Sequence, residues 1–271
     1  MSGEMYHDRE REHRPANHSH PPIFSATDGK DTVCVYQEGN RRTLTLGSNV
    51  AQSALDLSLP ARPVYRYTQG ILISLLLRQA PERITLLGLG GGSLAHSFRA
   101  LLPRCRIQAV ERSALVFNVA RDWFGLAQLD DLDVHLGEAA GFLKFAAPTD
   151  LLICDLYDPR GMDGAQESET FFDDLIARLA PGALAVFNIW SHNYRQEQQM
   201  LERVRNRFET PVLTLRIEGG NCLNFAFRDP PTLPRRKPFL ESALLMGKPL
   251  NIPLHRLART FWGQNSHILR Q

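Results

Sequence analysis

The chain has 271 residues, 43% of them hydrophobic and 22% charged, with a net charge of +2. That is the profile of a globular protein of one large domain or of a main domain with a small partner. Near-neutral charge gives no electrostatic footprint for nucleic acid or a membrane surface, so neither is expected as a partner. The longest apolar run, residues 71–77, is far short of the ~20 residues that span a bilayer.

Residues 1–22 are polar, charged and histidine-bearing, without the apolar centre of a signal peptide, and are expected to be a disordered tail. The four cysteines, Cys34, Cys105, Cys154 and Cys222, show no metal-type spacing. A reducing, cytoplasmic setting and no metal site follow as expectations. Residues 32–37 and 42–46 read as two strands joined through Glu38-Gly-Asn-Arg41, a hairpin signal. With the turn-rich stretch up to residue 59 they make a small N-terminal β domain, placed at 23–62. Apolar positions 64, 67, 71, 72, 75 and 76 have helical spacing, and Pro81 ends that pattern.

A regular alternation follows over 63–228. Strands at 84–89, 106–111, 132–136, 150–155 and 184–189 are each followed by a helix, at 93–102, 113–124, 138–145, 169–179 and 193–208. Repeated β-α units require a parallel sheet with helices on both faces. Two further strands, 212–216 and 221–227, are separated by only four residues, which permits a hairpin and an antiparallel edge. The expected fold is α/β: a seven-stranded, Rossmann-like, doubly wound sheet of the AdoMet-methyltransferase type, preceded by the small β domain. Beyond residue 228 a proline-rich, linker-like stretch leads into a C-terminal extension, 229–271, with short helices at 239–246 and 254–262. Arg235-Arg-Lys237 reads as a solvated basic run.

The most informative segment is Ile84-Thr-Leu-Leu-Gly-Leu-Gly-Gly-Gly-Ser93, a buried strand running into a glycine turn and then a helix. Gly90 and Gly92 let the backbone come close to a ligand. Glu111, 21 residues after Gly90, ends the second strand, where α/β nucleoside sites hold ribose hydroxyls. In such sheets the ligand lies beyond the carboxyl ends of the strands. Those ends bring Ser93, Glu111, Glu138-Ala139 and Asp155-Leu-Tyr-Asp158 to one crevice. Glu138 suits either a helix cap or an adenine contact. Asp155 ends the apolar run 151–154, where a carboxylate is costly without a partner or a function.

The glycine turn, the strand-end Glu111, the Gly137-Glu-Ala139 step and Asp155-x-x-Asp158-Pro159 together resemble the spermidine/spermine synthase family of polyamine aminopropyltransferases. Gln52-Ser-Ala-Leu-Asp56 and Tyr65-Arg-Tyr-Thr-Gln69 resemble that family's upstream glutamine and tyrosine-containing helix. The resemblance implies aminopropyl transfer from decarboxylated S-adenosylmethionine to an amine acceptor, with no prosthetic group and with dimerisation through the N-terminal β unit. It makes Asp155 the proton acceptor and gives Asp158 the cationic polyamine. Glu111 takes the ribose, Glu138 and Ala139 the adenine side, and Gln52 the nucleoside from the N-terminal domain. Tyr157 and Tyr67 fit either walls of an amine channel or core packing.

Three positions depart from the family pattern. Ser93 stands where an Asp binds the donor's amino group, Thr68 stands for a histidine, and Asp158-Pro-Arg-Gly-Met162 replaces Asp-Pro-x-Gly-Pro. A serine hydroxyl lacks the ion pair that selects an aminopropyl donor, and it can accompany the carboxylate of intact S-adenosylmethionine. An AdoMet-dependent methyltransferase and a non-catalytic nucleoside-binding protein of the same fold therefore stand as the alternative readings.

Overall fold

A computed structural model of the chain describes residues 20–29, 31–47, 51–158, 161–162, 168–190, 194–218 and 220–269. Most of the tail, residues 1–19, lies outside the described residues. The first sheet is an antiparallel meander of β1 (Phe24–Asp28), β2 (Asp31–Glu38), β3 (Arg41–Leu46) and β4 (Ala51–Asp56). The expected hairpin is β2–β3, with Glu38 opposite Arg41. β1 and β4 add two strands that weak β-formers such as Ser, Ala and Asp conceal in the sequence. Val33, Val35, Leu44 and Leu55 point to one face and bury it against Val116, Val119 and Phe124.

The segment expected as one helix over 64–78 is two short pieces, α1 (Arg66–Ile71) and α2 (Ser74–Leu77), joined by i→i+3 bonds such as Ile73 N to Gly70 O, 3.1 Å. Every residue from 70 to 76 is buried, so no single amphipathic face holds a continuous helix together.

The alternation then runs β5 (Arg83–Leu87), α3 (Ser93–Leu101), β6 (Arg106–Glu111), α4 (Ala114–Trp123), β7 (Leu132–Leu136), α5 (Ala139–Leu143) and β8 (Thr149–Cys154). A two-stranded excursion, β9 (Tyr157–Asp158) with β10 (Gly161–Met162), precedes α6 (Glu169–Ala177), β11 (Leu179–Trp190) and α7 (Tyr194–Arg207). β12 (Leu213–Arg216) and β13 (Asn221–Phe227) complete a seven-stranded sheet ordered β12-β13-β11-β8-β5-β6-β7. β13 pairs antiparallel with both β11 and β12. The hairpin forms as expected, but its antiparallel member lies one strand inside. The edge is β12, because the chain after β12 turns back into the gap beside β11. β5 starts in mid-sheet, β6 and β7 step one way and β8 returns to its other side. The resulting switch point between β5 and β8 is where this architecture opens a crevice.

Alternate strand residues feed two cores. Leu86, Ile107, Ile153, Val186 and Phe225 join one face, and Leu87, Val110, Leu152, Phe187 and Ala226 the other. Both faces are covered, which is why the strands read as apolar runs. After residue 228 come α8 (Arg236–Gly247), α9 (Leu254–Gln264) and α10 (Ser266–Leu269). Phe239 and Phe261 of this segment are buried in the first of those cores, Phe261 against Phe225 with ring centroids 5.2 Å apart. Arg235, Arg236 and Lys237 are exposed at the start of α8.

Candidate active site

The cleft opens at the carboxyl ends of β5, β6, β8 and β11, roofed by β4 of the small sheet. Its floor is set by one close approach. A β-carbon on Gly88 would lie 2.2 Å from the Asp155 carbonyl oxygen, and the residue has φ +92°. Only glycine permits both, so β5 and β8 stay adjacent past their last ladder pair, Leu87 beside Cys154. The Asp155 amide donates to Leu87 O at 2.9 Å, which keeps the carboxyl at the switch point.

Glu111 ends β6 in this turn. Its carboxylate accepts from the amides of Gly90 (3.3 Å), Leu89 (3.4 Å) and Ser113 (3.0 Å). It therefore clamps the glycine turn as well as facing the cleft. Burial pushes this carboxyl up from its ordinary value, against the downward pull of those three amides and of Arg112. Gly90 borders the cleft; Gly92 lies beneath the turn with φ +77°, its Cα facing Leu126. Ser93 opens α3, buried, and its hydroxyl has no hydrogen-bond partner among the described residues. Ser53 of β4 reaches the same turn from above, and its neighbour Gln52 borders the cleft. Glu138 stands at the N-cap position of α5 without a side-chain cap bond, exposed and bordering the cleft beside Ala139. Of the two roles open to it from sequence, the cap is unused.

At the other end lies Asp155. Asn188 Nδ2 donates to its Oδ1 at 2.8 Å, and the Tyr67 hydroxyl donates to the same carboxylate. Burial raises its pKa from 3.8 to about 6, the two hydrogen bonds opposing that rise. Asn188 is itself fixed, because its Oδ1 accepts from Asn221 Nδ2 at 2.9 Å. An amide whose oxygen is engaged on one side must present its NH2 on the other. The Tyr157 hydroxyl donates to the Asn188 carbonyl at 2.7 Å, and its ring meets Trp190 edge-on, centroids 6.3 Å apart. Burial holds this phenol well above its ordinary value, with the Asp155 charge adding to the rise. The Thr68 hydroxyl is turned into its own helix, donating to Tyr65 O at 2.7 Å. Asp158 ends β9, and its side chain lies outside the described residues.

The structure thus gathers Gln52, Tyr67, Thr68, Gly90, Ser93, Glu111, Glu138, Ala139, Asp155 and Tyr157 around one cleft. Asn188, Trp190 and Asn221 were missed in the sequence. Asn188 carried a signal, a lone amide inside the apolar strand run 184–189. Among the described residues no group of three or more His, Cys, Asp or Glu is placed to hold a metal ion, and no helix is long and apolar enough to cross a membrane.

No family model matches the chain. The polyamine aminopropyltransferase of Chromobacterium violaceum is 34% identical over 214 residues, 78% of this chain and 82% of the relative. The chain belongs to the polyamine aminopropyltransferase family. The Neisseria meningitidis serogroup B aminopropyltransferase is likewise 34% identical, over 220 residues that cover 80% of this chain and 83% of the relative. Solved structures agree on the fold of this aminopropyltransferase-family chain. A probable spermidine synthase from Corynebacterium glutamicum superposes with a TM-score of 0.71 at 19% identity, covering 83% of this chain and 88% of that one. Human methyltransferase-like protein 13 in complex with SAH gives 0.59 at 22% identity, over 72% and 93%.

Proposed function

We propose that the cleft catalyses aminopropyl transfer from decarboxylated S-adenosylmethionine to an amine, with Asp155 as proton acceptor. The observation that carries this reading is the Asp155 carboxyl, raised to about 6 and held by Tyr67 and Asn188 in the same cleft as the glycine turn. An ammonium has no lone pair, so the acceptor must lose a proton before its nitrogen attacks the carbon bonded to sulfur. The new C–N bond forms as the C–S bond breaks, methylthioadenosine leaves, and the released proton passes to Asp155. A carboxylate titrating near 6 is still mostly ionised at neutral pH and is a better base than one at 3.8.

In this reading Glu111 holds the ribose hydroxyls while keeping the turn in shape, Glu138 and Ala139 face the adenine, and Gln52 closes over the nucleoside. Gly90 allows the approach to the turn, and Gly92, expected there too, instead shapes the turn from beneath, against Leu126. Tyr67, Tyr157 and Thr68 line the acceptor end, and Asp158 supplies a second negative charge for a polyamine. Residues 23–62 act as the roof and 63–228 as the catalytic domain. Among the described residues β1 is an edge strand, which supports a homodimer built on the small sheet, and four free cysteines suit a cytoplasmic setting.

The test is release of methylthioadenosine by the purified protein from the decarboxylated donor. It is expected only when a diamine or polyamine is supplied. No release across a panel of such amines would overturn the assignment.

A further inference from the structure

We propose that the N-terminal turn of α3, together with the Ser93 hydroxyl, receives a carboxylate, so that the cleft binds intact S-adenosylmethionine at least as readily as the decarboxylated donor. The inference rests on the reading of the cleft as a sulfonium-nucleoside site.

Four observations converge on this end of the pocket. Ser93 is 6% exposed and borders the cleft, yet its hydroxyl has no hydrogen-bond partner among the described residues. Ser97, one turn later, shows how a serine on this helix is otherwise satisfied, donating to Ala61 O at 2.9 Å and Ser93 O at 3.0 Å. A buried hydroxyl left unpaired is costly, and a ligand acceptor removes that cost.

The backbone adds donors at the same place. The α3 ladder begins with His96 N donating to Gly92 O at 3.1 Å, so the amides of Ser93, Leu94 and Ala95 precede it. Amides in that position, with the helix dipole behind them, favour an anion. Above the turn, Ser53 Oγ lies 2.8 Å from where a β-carbon on Gly91 would stand, a second hydroxyl bordering the cleft.

Charge supplies the fourth observation. The first turn of α3 has no acidic residue. Among the described residues, the carboxylates that border the cleft belong to Glu111, Glu138 and Asp155. Glu111 is committed to three backbone amides, Asp155 to Asn188 and Tyr67, and Glu138 stands on α5. No fixed negative charge on α3 selects a tail ending in ammonium alone or repels one that also carries a carboxylate. The two nucleosides share adenosine, sulfonium and amino group and differ only in that carboxylate, so their relative affinity reads this turn directly. Intact S-adenosylmethionine would then compete with the decarboxylated donor for the same cleft.

The experiment is calorimetry on the full chain with methylthioadenosine, decarboxylated S-adenosylmethionine and S-adenosylmethionine, for wild type, Ser93→Asp and Ser93→Ala. Wild type is expected to bind S-adenosylmethionine as tightly as the decarboxylated form or more tightly. Ser93→Asp is expected to weaken S-adenosylmethionine at least about tenfold relative to the decarboxylated form, while methylthioadenosine, which has no amino-acid tail, stays within about twofold. Ser93→Ala, which keeps the amides and adds no charge, is expected to weaken S-adenosylmethionine by about threefold to tenfold. A wild-type preference for the decarboxylated form of about tenfold or more overturns the proposal. So does an affinity ratio that neither substitution moves. Failure of the folded wild type to bind methylthioadenosine would instead overturn the nucleoside reading on which the proposal stands.

Discussion

Replacing Asn188 by leucine removes the amide that donates to Asp155 at 2.8 Å while keeping the branched shape of the side chain, and it leaves the backbone carbonyl that receives Tyr157 in place. A hydrogen bond to a charged group contributes about 1.5–3 kcal/mol. At about 1.4 kcal/mol per pH unit, its loss moves a carboxyl up by about one to two units. Asp155, at about 6 in the native site, would then titrate at roughly 7 to 8. At pH 7 its ionised fraction falls from about nine-tenths to between about a half and a tenth. The assay is kcat/KM for methylthioadenosine release from pH 6 to 9.5, expressed as the ratio of variant to wild type. That ratio cancels the titration of the acceptor amine, which both enzymes share. It is expected to be lowest at the acid end of the range and to climb through neutrality towards a plateau above about pH 9. A ratio flat across the range, with both proteins folded by circular dichroism, would refute the view that Asn188 tunes the base.

The raised Asp155 also weakens the fold. In the unfolded chain it ionises near 3.8 and in the site near 6, so stability falls as pH rises from about 4 to about 6, by up to about 3 kcal/mol, and then levels. Asp155→Asn is therefore expected to raise Tm by roughly 3–10 °C at pH 8 and to give no gain at pH 3.5; calorimetric scans at the two pH values check both. Gly88→Ala forces a β-carbon to within 2.2 Å of the Asp155 carbonyl at φ +92°. It is expected to cost about 3 kcal/mol or more, a fall in Tm of roughly 10 °C, measured by thermal denaturation.

Most of the main sheet was legible because its strands are buried on both faces and its helices on one, which writes apolar runs and helical spacing into residues 84–227. Asp155 was legible for a related reason: a carboxylate closing an apolar run needs an explanation. The same logic applies to Asn188, which interrupts the apolar run of β11. Its meaning depends on Asn221, 33 residues on, and on the antiparallel insertion of β13 beside β11, a pairing no local pattern encodes. β1 and β4 were hidden because residues such as Ser25, Ala26, Ala51 and Ser53 become strand only through their neighbours in the meander. The break between α1 and α2 was hidden because helical spacing at 64–76 says nothing about burial on the remaining faces. The double duty of Glu111, clamp and candidate ribose ligand, depends on three amides that only the folded turn brings to its carboxylate.

The central claim is that Asp155 takes the proton of the attacking amine, and Asp155→Asn in the methylthioadenosine-release assay tests it most directly. An asparagine keeps the shape and cannot accept the proton, so kcat is expected to fall at least about 100-fold, while the affinity for methylthioadenosine stays within about twofold. A folded Asn variant that binds methylthioadenosine and turns over within about tenfold of the wild type would contradict it.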